Sequence, residues 1–189
     1  MRLTLLLALP ASFALACAAD PAVAPPPATA TAVTSTATSM PAAAADLAIG
    51  APPPDFKATA ADGTAVQLSA LKGKPVVVYF YPKDETPGCT AEACSFRDAW
   101  TSLANKGVIL IGISADSDES HRAFARNHKL PFLLVSDANG AIAQQFGVPV
   151  KNGIIMRQSF VIGPDGNVKK IYRTVDVTAH AAQIAADVQ

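Results

Sequence analysis

The amino-acid sequence predicts an α/β sandwich built around a mixed central β-sheet. Short apolar runs rich in β-branched residues alternate along the chain with segments of helical pattern, and this alternation is typical of α/β folds. The last elements are a β-hairpin and a closing helix, so the sheet is expected to contain antiparallel as well as parallel strands. Half of the 189 residues are hydrophobic, which is enough for a substantial core.

The charge and the cysteine content exclude several classes of protein. The formal net charge is zero, which argues against a nucleic-acid binder. Three cysteines are too few for a disulfide scaffold, and their positions indicate separate roles. The three histidines have no Cys or paired carboxylates at ligand spacing, so we predict neither a metal site nor a cofactor.

The chain begins with a segment typical of a secretory signal. Met1-Arg2 supplies one positive charge, and residues 3–9 form an apolar run that is too short to remain as a membrane anchor. Cleavage after Ala16 fits the Ala-x-Ala preference of signal peptidase and makes residues 1–16 the signal peptide. The protein is therefore expected to be exported to the periplasm.

The residue that follows this cleavage site, Cys17, leaves two outcomes open. Residues 14–17, Ala-Leu-Ala-Cys, resemble a bacterial lipobox, although that motif more often has Leu where Ala14 stands. We favour lipid attachment at Cys17, because a free cysteine would be a liability in an exported protein. Without the lipid the protein would be freely secreted, and no other membrane contact is expected.

Residues 17–45 are predicted to form a disordered tether. Between residues 21 and 45, 20 of 25 residues are Ala, Pro or Thr, and none is charged. Such a segment buries too little apolar side chain to offset the entropy lost on ordering. It would hold the domain of residues 46–189 away from a membrane surface; a spacer without an anchoring role is the alternative.

The domain divides into strands and helices in a clear order. An N-terminal hairpin of residues 56–60 and 64–68 turns at Asp62-Gly63. Strands are predicted at residues 76–81, 108–114 and 132–135, and helices at residues 89–105, 117–128 and 141–146. A final hairpin pairs residues 159–162 with 168–172, and a closing helix spans about 178–188.

The strand at residues 76–81 and the helix after it carry the chemistry. Pro82 ends the strand and Pro87-Gly88 turns the chain into the helix, so Cys89 falls in the first helical turn. Unpaired N–H groups and the positive end of the helix dipole favour a thiolate there. Cys94 follows five residues later, and this arrangement is typical of thiol redox chemistry.

Residues 79–98, YFYPKDETPGCTAEACSFRD, resemble the active-site signature of the peroxiredoxins, more specifically of the bacterioferritin comigratory protein or peroxiredoxin Q subfamily. The likeness continues through residues 118–121, 130–132, 136–137 and 157–166, and covers nearly everything after residue 46. It implies a thioredoxin-like fold, with a central mixed β-sheet flanked by helices and an N-terminal hairpin. The implied activity is that of a thiol-dependent peroxidase.

The resemblance also implies a role for each of five residues. Cys89 would attack the peroxide and become a sulfenic acid, which Cys94 would attack in turn. Thr86 would hydrogen-bond the thiolate and the peroxide, Pro82 would shield the sulfur from water, and Arg157 would supply a fixed positive charge. The substrate would be hydrogen peroxide or an organic hydroperoxide, a thioredoxin-like dithiol protein would reset the enzyme, and a monomer is expected.

Ideal helical geometry keeps the two cysteines too far apart for a disulfide. Five residues correspond to about 7.5 Å of rise and about 140° of rotation, which separates the Cα atoms by roughly 8.6 Å. A structural disulfide is therefore disfavoured. If Cys94 attacks an oxidised Cys89, the helix has to unwind locally.

Two other function classes remain open on the sequence. An exported thiol–disulfide oxidoreductase acting on protein disulfides would share the fold and the compartment, but such enzymes typically carry Cys-x-x-Cys, which this chain lacks. A non-catalytic binding module on a tether would leave the set of Thr86, Cys89 and Cys94 without an explanation.

Three minor predictions concern side chains near these motifs. Phe96 and Trp100, four residues apart in a predicted helix, are expected in the core. His121 and His128 are expected to face solvent, and residues 83–85 are expected to form a solvated loop.

Overall fold

The structure of the protein is a computed structural model that describes residues 47–188. The predicted signal peptide, Cys17 and the predicted tether lie outside the described residues. Within residues 47–188, no helix has both the length and the apolar character needed to cross a membrane.

The described residues form nine β-strands, five α-helices and one short 3-10 helix at Leu68–Leu71. The strands are β1 (Lys57–Thr59), β2 (Ala65–Gln67), β3 (Val76–Phe80), β4 (Ile109–Ser114), β5 (Leu133–Ser136), β6 (Val150–Lys151), β7 (Ile154–Ile155), β8 (Gln158–Ile162) and β9 (Val168–Tyr172). The α-helices are α1 (Pro87–Asp98), α2 (Trp100–Asn105), α3 (Asp118–His128), α4 (Ala141–Gln145) and α5 (His180–Asp187).

Strands β1 and β2 form the predicted N-terminal hairpin, with Ala58 opposite Val66 in an antiparallel pair. Gly63 has a φ of +92°, a backbone conformation that glycine adopts without steric cost. The side chain of Asp62 accepts a hydrogen bond from the backbone N–H of Thr64 at 2.9 Å and closes the turn.

Five strands form the central sheet in the order β5-β4-β3-β8-β9. Strand β3 pairs in parallel with β4, and β4 pairs in parallel with β5. On the other side of β3, β8 and then β9 are antiparallel. The prediction of a mixed sheet is therefore confirmed, and β3, which leads into the cysteine-bearing helix, is its central strand.

Strand β3 divides the hydrophobic core between the two faces of the sheet, because successive side chains of a strand point to opposite faces. Val78 and Phe80 pack with residues of the N-terminal hairpin and of α4. Tyr79 and the following Tyr81 pack with residues of α1, α3 and α5. Both faces of β3 are covered, which explains its continuous apolar run.

The predicted helix over residues 89–105 is divided into two helices. Helix α1 begins at Pro87, whose missing N–H costs nothing at the first helical position. It ends before Ala99, which has φ −83° and ψ −2°, and α2 starts at Trp100. Phe96 is fully buried as predicted, and the partly buried Trp100 packs against the same core, with its ring centroid 6.2 Å from that of Phe132.

The two-residue strands β6 and β7 were not predicted from the sequence. They pair antiparallel, with Val150 opposite Ile155, around Asn152-Gly153. Both turn residues have positive φ, 51° and 76°. Asn-Gly is the dipeptide that most strongly favours such a turn, so the signal for this hairpin is present in the sequence.

Asp84, in the loop between β3 and α1, is buried, so the prediction that residues 83–85 form a solvated loop is wrong at this position. The Asp84 carboxylate accepts hydrogen bonds from the hydroxyls of Tyr81 and Ser120, each at 2.7 Å, and lies 2.9 Å from Nδ1 of His121. His121 is also fully buried, which corrects the prediction that it faces solvent. Burial alone would raise the pKa of Asp84, but the hydrogen bonds from His121 and Ser120 hold it below its usual value.

Candidate active site

Cys89 lies in the first turn of α1, as the sequence predicts. Thr86 is the N-cap residue and Pro87 the first helical residue, so Cys89 is the third. The side chain is almost completely buried, with 2% of its surface exposed. This position belongs to the turn whose backbone N–H groups have no partner within the helix and in which the positive end of the helix dipole lies.

The register of the sheet explains how Arg157 reaches Cys89 from 68 residues away. Phe80, the last residue of β3, pairs with Gln158, the first residue of β8. Arg157 therefore lies beside the C-terminal end of β3, from which the chain leaves towards α1. Its Nη2 donates a hydrogen bond to Cys89 Sγ at 3.0 Å. The structure thus brings together the two residues that the family resemblance pairs.

Glu92, which was not predicted from the sequence as a site residue, also contacts Arg157. This residue is fully buried, three residues after Cys89 in α1, and its Oε2 accepts a hydrogen bond from Nη1 of Arg157. Burial raises the pKa of Glu92 to about 7, although the charge of Arg157 acts in the opposite direction. One guanidinium therefore donates both to the sulfur of Cys89 and to the carboxyl group of Glu92. A lone acidic residue between two alanines, one turn from Cys89, is the signal that could have pointed to it.

His180, at the start of α5, completes this buried polar cluster. Its Nε2 lies 2.8 Å from Ser159 Oγ and 3.9 Å from Glu92 Oε1. Burial lowers the pKa of His180 to about 4, and the charge of Arg157 acts in the same direction, so the imidazole is neutral at pH 7. Within the described residues, no group of three or more His, Cys, Asp or Glu side chains is arranged to hold a metal ion.

Thr86 makes a hydrogen bond different from the expected one. Its hydroxyl donates to the carbonyl oxygen of Lys83 at 2.9 Å. A hydroxyl has a single proton, so it does not donate to the Cys89 sulfur at the same time, while its lone pairs stay available as acceptors. Pro82 is half-buried at the start of the same loop, directly after the buried Tyr81.

Cys94 lies further along the same helix and, like Cys89, is a free thiol. It is half-buried, and its sulfur is 4.0 Å from Nδ1 of His128 in α3. His128 was expected to face solvent, but only 23% of its side-chain surface is exposed. Because α1 is continuous from Pro87 to Asp98, ideal helical geometry keeps the two cysteine Cα atoms about 8.6 Å apart.

Comparison with known proteins agrees with this geometry. Residues 49–171 match the AhpC/TSA family. The chain belongs to this family of peroxiredoxins. The putative peroxiredoxin bcp of Coxiella burnetii is 41% identical over 143 residues, which cover 72% of this chain and 95% of the relative. The chloroplastic peroxiredoxin Q of Sedum lineare is 46% identical over 125 residues, or 65% of this chain and 67% of the relative.

Solved structures of peroxiredoxins have the same fold. Peroxidoxin BcpB from Mycobacterium tuberculosis gives a TM-score of 0.69 at 36% identity, covering 75% of this chain and 96% of that one. The bacterioferritin comigratory protein of Xanthomonas campestris gives a TM-score of 0.66 at 34% identity, covering 70% of this chain and 89% of that one. The thioredoxin-like fold and the subfamily predicted from the sequence are confirmed, and the protein is a thiol-dependent peroxidase.

The raised pKa of Glu92 predicts that the stability of this peroxiredoxin depends on pH. The folded protein keeps a proton on Glu92 up to about pH 7, whereas an ordinary glutamate loses it near pH 4.5. The stability associated with this proton is fully present below that lower pH and is lost as the pH rises to 7, by on the order of 1–3 kcal/mol. Glu92→Gln, which is neutral at every pH, should therefore gain stability relative to the wild type over this range.

Urea unfolding of the wild type and of Glu92→Gln at several pH values between about 4.5 and 8 measures this effect. The raised pKa would be contradicted if the difference in unfolding free energy between Glu92→Gln and the wild type stayed constant with pH. It would also be contradicted if the wild type became more stable relative to Glu92→Gln as the pH rises.

Proposed function

We propose that this peroxiredoxin reduces hydrogen peroxide and organic hydroperoxides to water and alcohols, with Cys89 as the nucleophile and Cys94 as the resolving cysteine. The observation that carries the proposal is the 3.0 Å hydrogen bond from Arg157 Nη2 to Cys89 Sγ at the N-terminus of α1. The guanidinium and the helix dipole stabilise both the thiolate and the negative charge that develops on the peroxide oxygens.

In the first step, the Cys89 thiolate attacks one peroxide oxygen and the O–O bond breaks. The sulfur becomes a sulfenic acid, and the other oxygen leaves, takes a proton and becomes water or an alcohol. Full ionisation of an ordinary thiol, which is only a few per cent thiolate at pH 7, would raise the rate about thirtyfold, or on the order of 2 kcal/mol. Most of the acceleration must therefore come from positioning the peroxide and stabilising the leaving oxygen.

Arg157, Thr86 and Pro82 are the residues that we assign to this step. Arg157 supplies a fixed cation that needs no reorganisation when the O–O bond breaks. Thr86, whose proton is directed at the Lys83 carbonyl, accepts a hydrogen bond from the O–H of the peroxide. Pro82 has no N–H to hold water and limits solvent access to the sulfur, which agrees with the 2% exposure of Cys89.

In the second step, Cys94 attacks the sulfenic sulfur, a disulfide forms and water is released. The helix must first unwind between the two cysteines, because a disulfide requires Cα atoms within about 7 Å and an intact helix keeps them about 8.6 Å apart. Both cysteines belong to one helix, so the step needs no second subunit, which supports action as a monomer. A thioredoxin-like dithiol protein then reduces the disulfide and restores the free thiols.

The proposal includes organic hydroperoxides because of one of the relatives. The solved structure of the Xanthomonas campestris protein gives insights into the alkyl peroxide reduction activity of that protein. Its sequence is 34% identical to this one over 70% of this chain.

The burial of Cys89 argues against an exported thiol–disulfide oxidoreductase. Such an enzyme presents its reactive sulfur to the disulfide of another protein, whereas Cys89 exposes only 2% of its surface. A small peroxide needs much less access. A non-catalytic binding module would leave the contact between Arg157 and Cys89 without a role.

Replacing each cysteine by serine separates their proposed roles. Cys89→Ser should abolish peroxide consumption, because Cys89, and not Cys94, lies at the N-terminus of α1 beside Arg157. Cys94→Ser should still consume about one equivalent of peroxide and then stop in a dithiol-coupled assay. Mass spectrometry of Cys89 would show the sulfenic acid or its trapped adduct. Our assignment of roles would be reversed if Cys94→Ser alone removed the first reaction with peroxide.

We further propose that the protein is exported and anchored by a lipid on Cys17, which lies outside the described residues. The support is the sequence Ala-Leu-Ala-Cys at residues 14–17 after a short apolar run. Residues 18–45 offer no other membrane contact, since they contain a single charged residue, Asp20, and no long apolar run. The tether would then let the enzyme meet peroxides close to the membrane.

Mass spectrometry of the mature N-terminus tests the anchor. We expect the mature chain to begin at a lipid-modified Cys17 and to sediment with membranes. Cys17→Ser should release a soluble exported protein or block its processing, with the peroxidase activity of the folded domain unchanged. An unmodified Cys17, or cleavage elsewhere, would leave a secreted enzyme with a simple spacer.

A further inference from the structure

Beside Cys94, outside the cluster around Cys89, the structure joins a histidine and a carboxylate from two other elements. His128, at the end of α3, has its Nδ1 4.0 Å from Cys94 Sγ, within hydrogen-bonding range for a sulfur atom. The other ring nitrogen, Nε2, lies 2.8 Å from Oε2 of Glu85 in the loop between β3 and α1. A thiol, an imidazole and a carboxylate thus stand in series, which is the arrangement of nucleophilic triads.

The carboxylate determines which nitrogen of His128 carries the proton. Ionised Glu85 can only accept hydrogen bonds, so in the neutral imidazole Nε2 must hold the proton and donate it. Hydrogen bonds from His128 and Asn127 hold the pKa of Glu85 below its usual value, so the carboxylate stays ionised at neutral pH. The unprotonated Nδ1, with its lone pair, is consequently the nitrogen that faces the thiol of Cys94.

Glu85 is held in this position at a conformational cost. Its φ is +59°, in the left-handed region that a residue with a long side chain rarely adopts. Hydrogen bonds hold both the backbone and the side chain of Glu85 in this conformation. The preceding residue, Asp84, is buried and hydrogen-bonded to Ser120 and His121, and Asn127 Nδ2 donates to Glu85 Oε1 at 2.9 Å. Strain of this kind is often found where a backbone aims a functional side chain.

Other side chains also surround His128 and Cys94. Arg97, one turn from Cys94 in α1, donates from Nη1 to the carbonyl oxygen of His128 at 3.0 Å. Hydrogen bonding to Asp98 raises the pKa of Arg97, and its interaction with Cys94 acts in the same direction. The rings of Phe124 and His128 pack in a T-shaped arrangement, with 5.0 Å between centroids. The remaining charged side chains of that helical turn, Arg126 and the following Lys129, are exposed.

We infer that His128 is the base that activates Cys94 for the second step, with Glu85 as the residue that positions it; the inference rests on the proposed resolving role of Cys94. Nδ1 takes the proton of the Cys94 thiol, and the resulting thiolate attacks the sulfenic sulfur of Cys89. The S–S bond forms as the S–O bond breaks, and hydroxide leaves and takes a proton from solvent to become water. His128 then returns its proton to solvent. Cys94 sulfur is oxidised and Cys89 sulfur is reduced, so electrons balance without another reactant.

The sole tryptophan, Trp100, lies directly after α1 and gives a signal for the rearrangement of that helix. After mixing the reduced full-length protein with peroxide in a stopped-flow fluorimeter, we expect a first phase for oxidation of Cys89 and a second for disulfide formation. Cys94→Ser identifies the second phase by abolishing it. The variants are His128→Gln, which keeps a polar side chain, and His128→Phe, which keeps the ring packing on Phe124.

Both His128 variants should slow the second phase at pH 7 about tenfold to thirtyfold, because an unassisted thiol is only a few per cent ionised at that pH. Above about pH 9 the rates of variants and wild type should converge, since a free thiol ionises near pH 8.5. Glu85→Ala should show the same pH-dependent loss, and Glu85→Gln, which can still accept from Nε2, should recover part of it. Arg126→Gln, an exposed charge in the same helical turn, is the matched control and should behave like the wild type.

Three results would overturn the inference. A second phase with the wild-type rate and pH profile in His128→Gln and His128→Phe would show that no base acts there. A loss of equal size at every pH would show that His128 contributes packing alone. A second phase that survives Cys94→Ser would refute the proposed resolving role itself, and the inference with it, so the two failures are distinguishable.

Alkylation of Cys94 provides a readout that does not depend on peroxide. In a Cys89→Ser background, the rate of iodoacetamide modification at Cys94 is followed against pH, and peptide mass spectrometry separates this residue from Cys17. We expect His128→Gln to lower the rate at pH 7 about tenfold and to leave it unchanged above about pH 9. Identical profiles with and without the histidine would overturn its role as a base.

Discussion

The contact between one guanidinium and two acidic side chains is the interaction on which the rest of the site depends. Arg157 donates to the sulfur of Cys89 and to the carboxyl group of the buried Glu92, so a single cation bridges the first and second turns of α1. Charge-assisted hydrogen bonds of this kind are strong where water is excluded. The bridge exists because β8 pairs with β3 in a register that brings Arg157 to the end of the strand from which α1 departs. The same contact that is proposed to activate the sulfur therefore also holds the helix that the proposed disulfide would require to unwind.

Two consecutive acidic residues in the loop before α1 hold that loop to α3 in different ways. The side chain of Asp84 turns inward and is fixed by Tyr81, Ser120 and His121. That of Glu85 remains half-exposed and reaches His128, which contacts Cys94. The loop also carries Thr86, so the geometry at the proposed peroxide site and at Cys94 depends on one short, strained segment.

Much of this organisation could be predicted from the sequence, and the exceptions have a common cause. The apolar run of β3 and the Pro87-Gly88 turn were sufficient to place Cys89 at a helix N-terminus, because both signals are local. Arg157 could be assigned only through the family resemblance, since its contact with Cys89 depends on strand pairing between distant segments. Asp84 and His121 were expected in solvent because each lies in a polar stretch; their burial follows from hydrogen-bonding to each other across 37 residues. Glu92 was not predicted as a site residue because its contact with Arg157 likewise joins distant segments of the chain.

The most direct test of this account is the single-turnover rate of Cys89 oxidation in Arg157→Met, followed by Trp100 fluorescence at neutral pH with limiting peroxide. Loss of one preformed donor to a developing negative charge typically costs about 10²–10³ in rate, so we predict a fall of at least about a hundredfold. Arg126→Met, which removes an exposed arginine, should keep the wild-type rate, and alkylation of Cys89 at pH 7 should also slow in Arg157→Met alone. If Arg157→Met oxidised Cys89 within about threefold of the wild-type rate, the guanidinium would not be the group that stabilises the reaction, and the central claim would be contradicted.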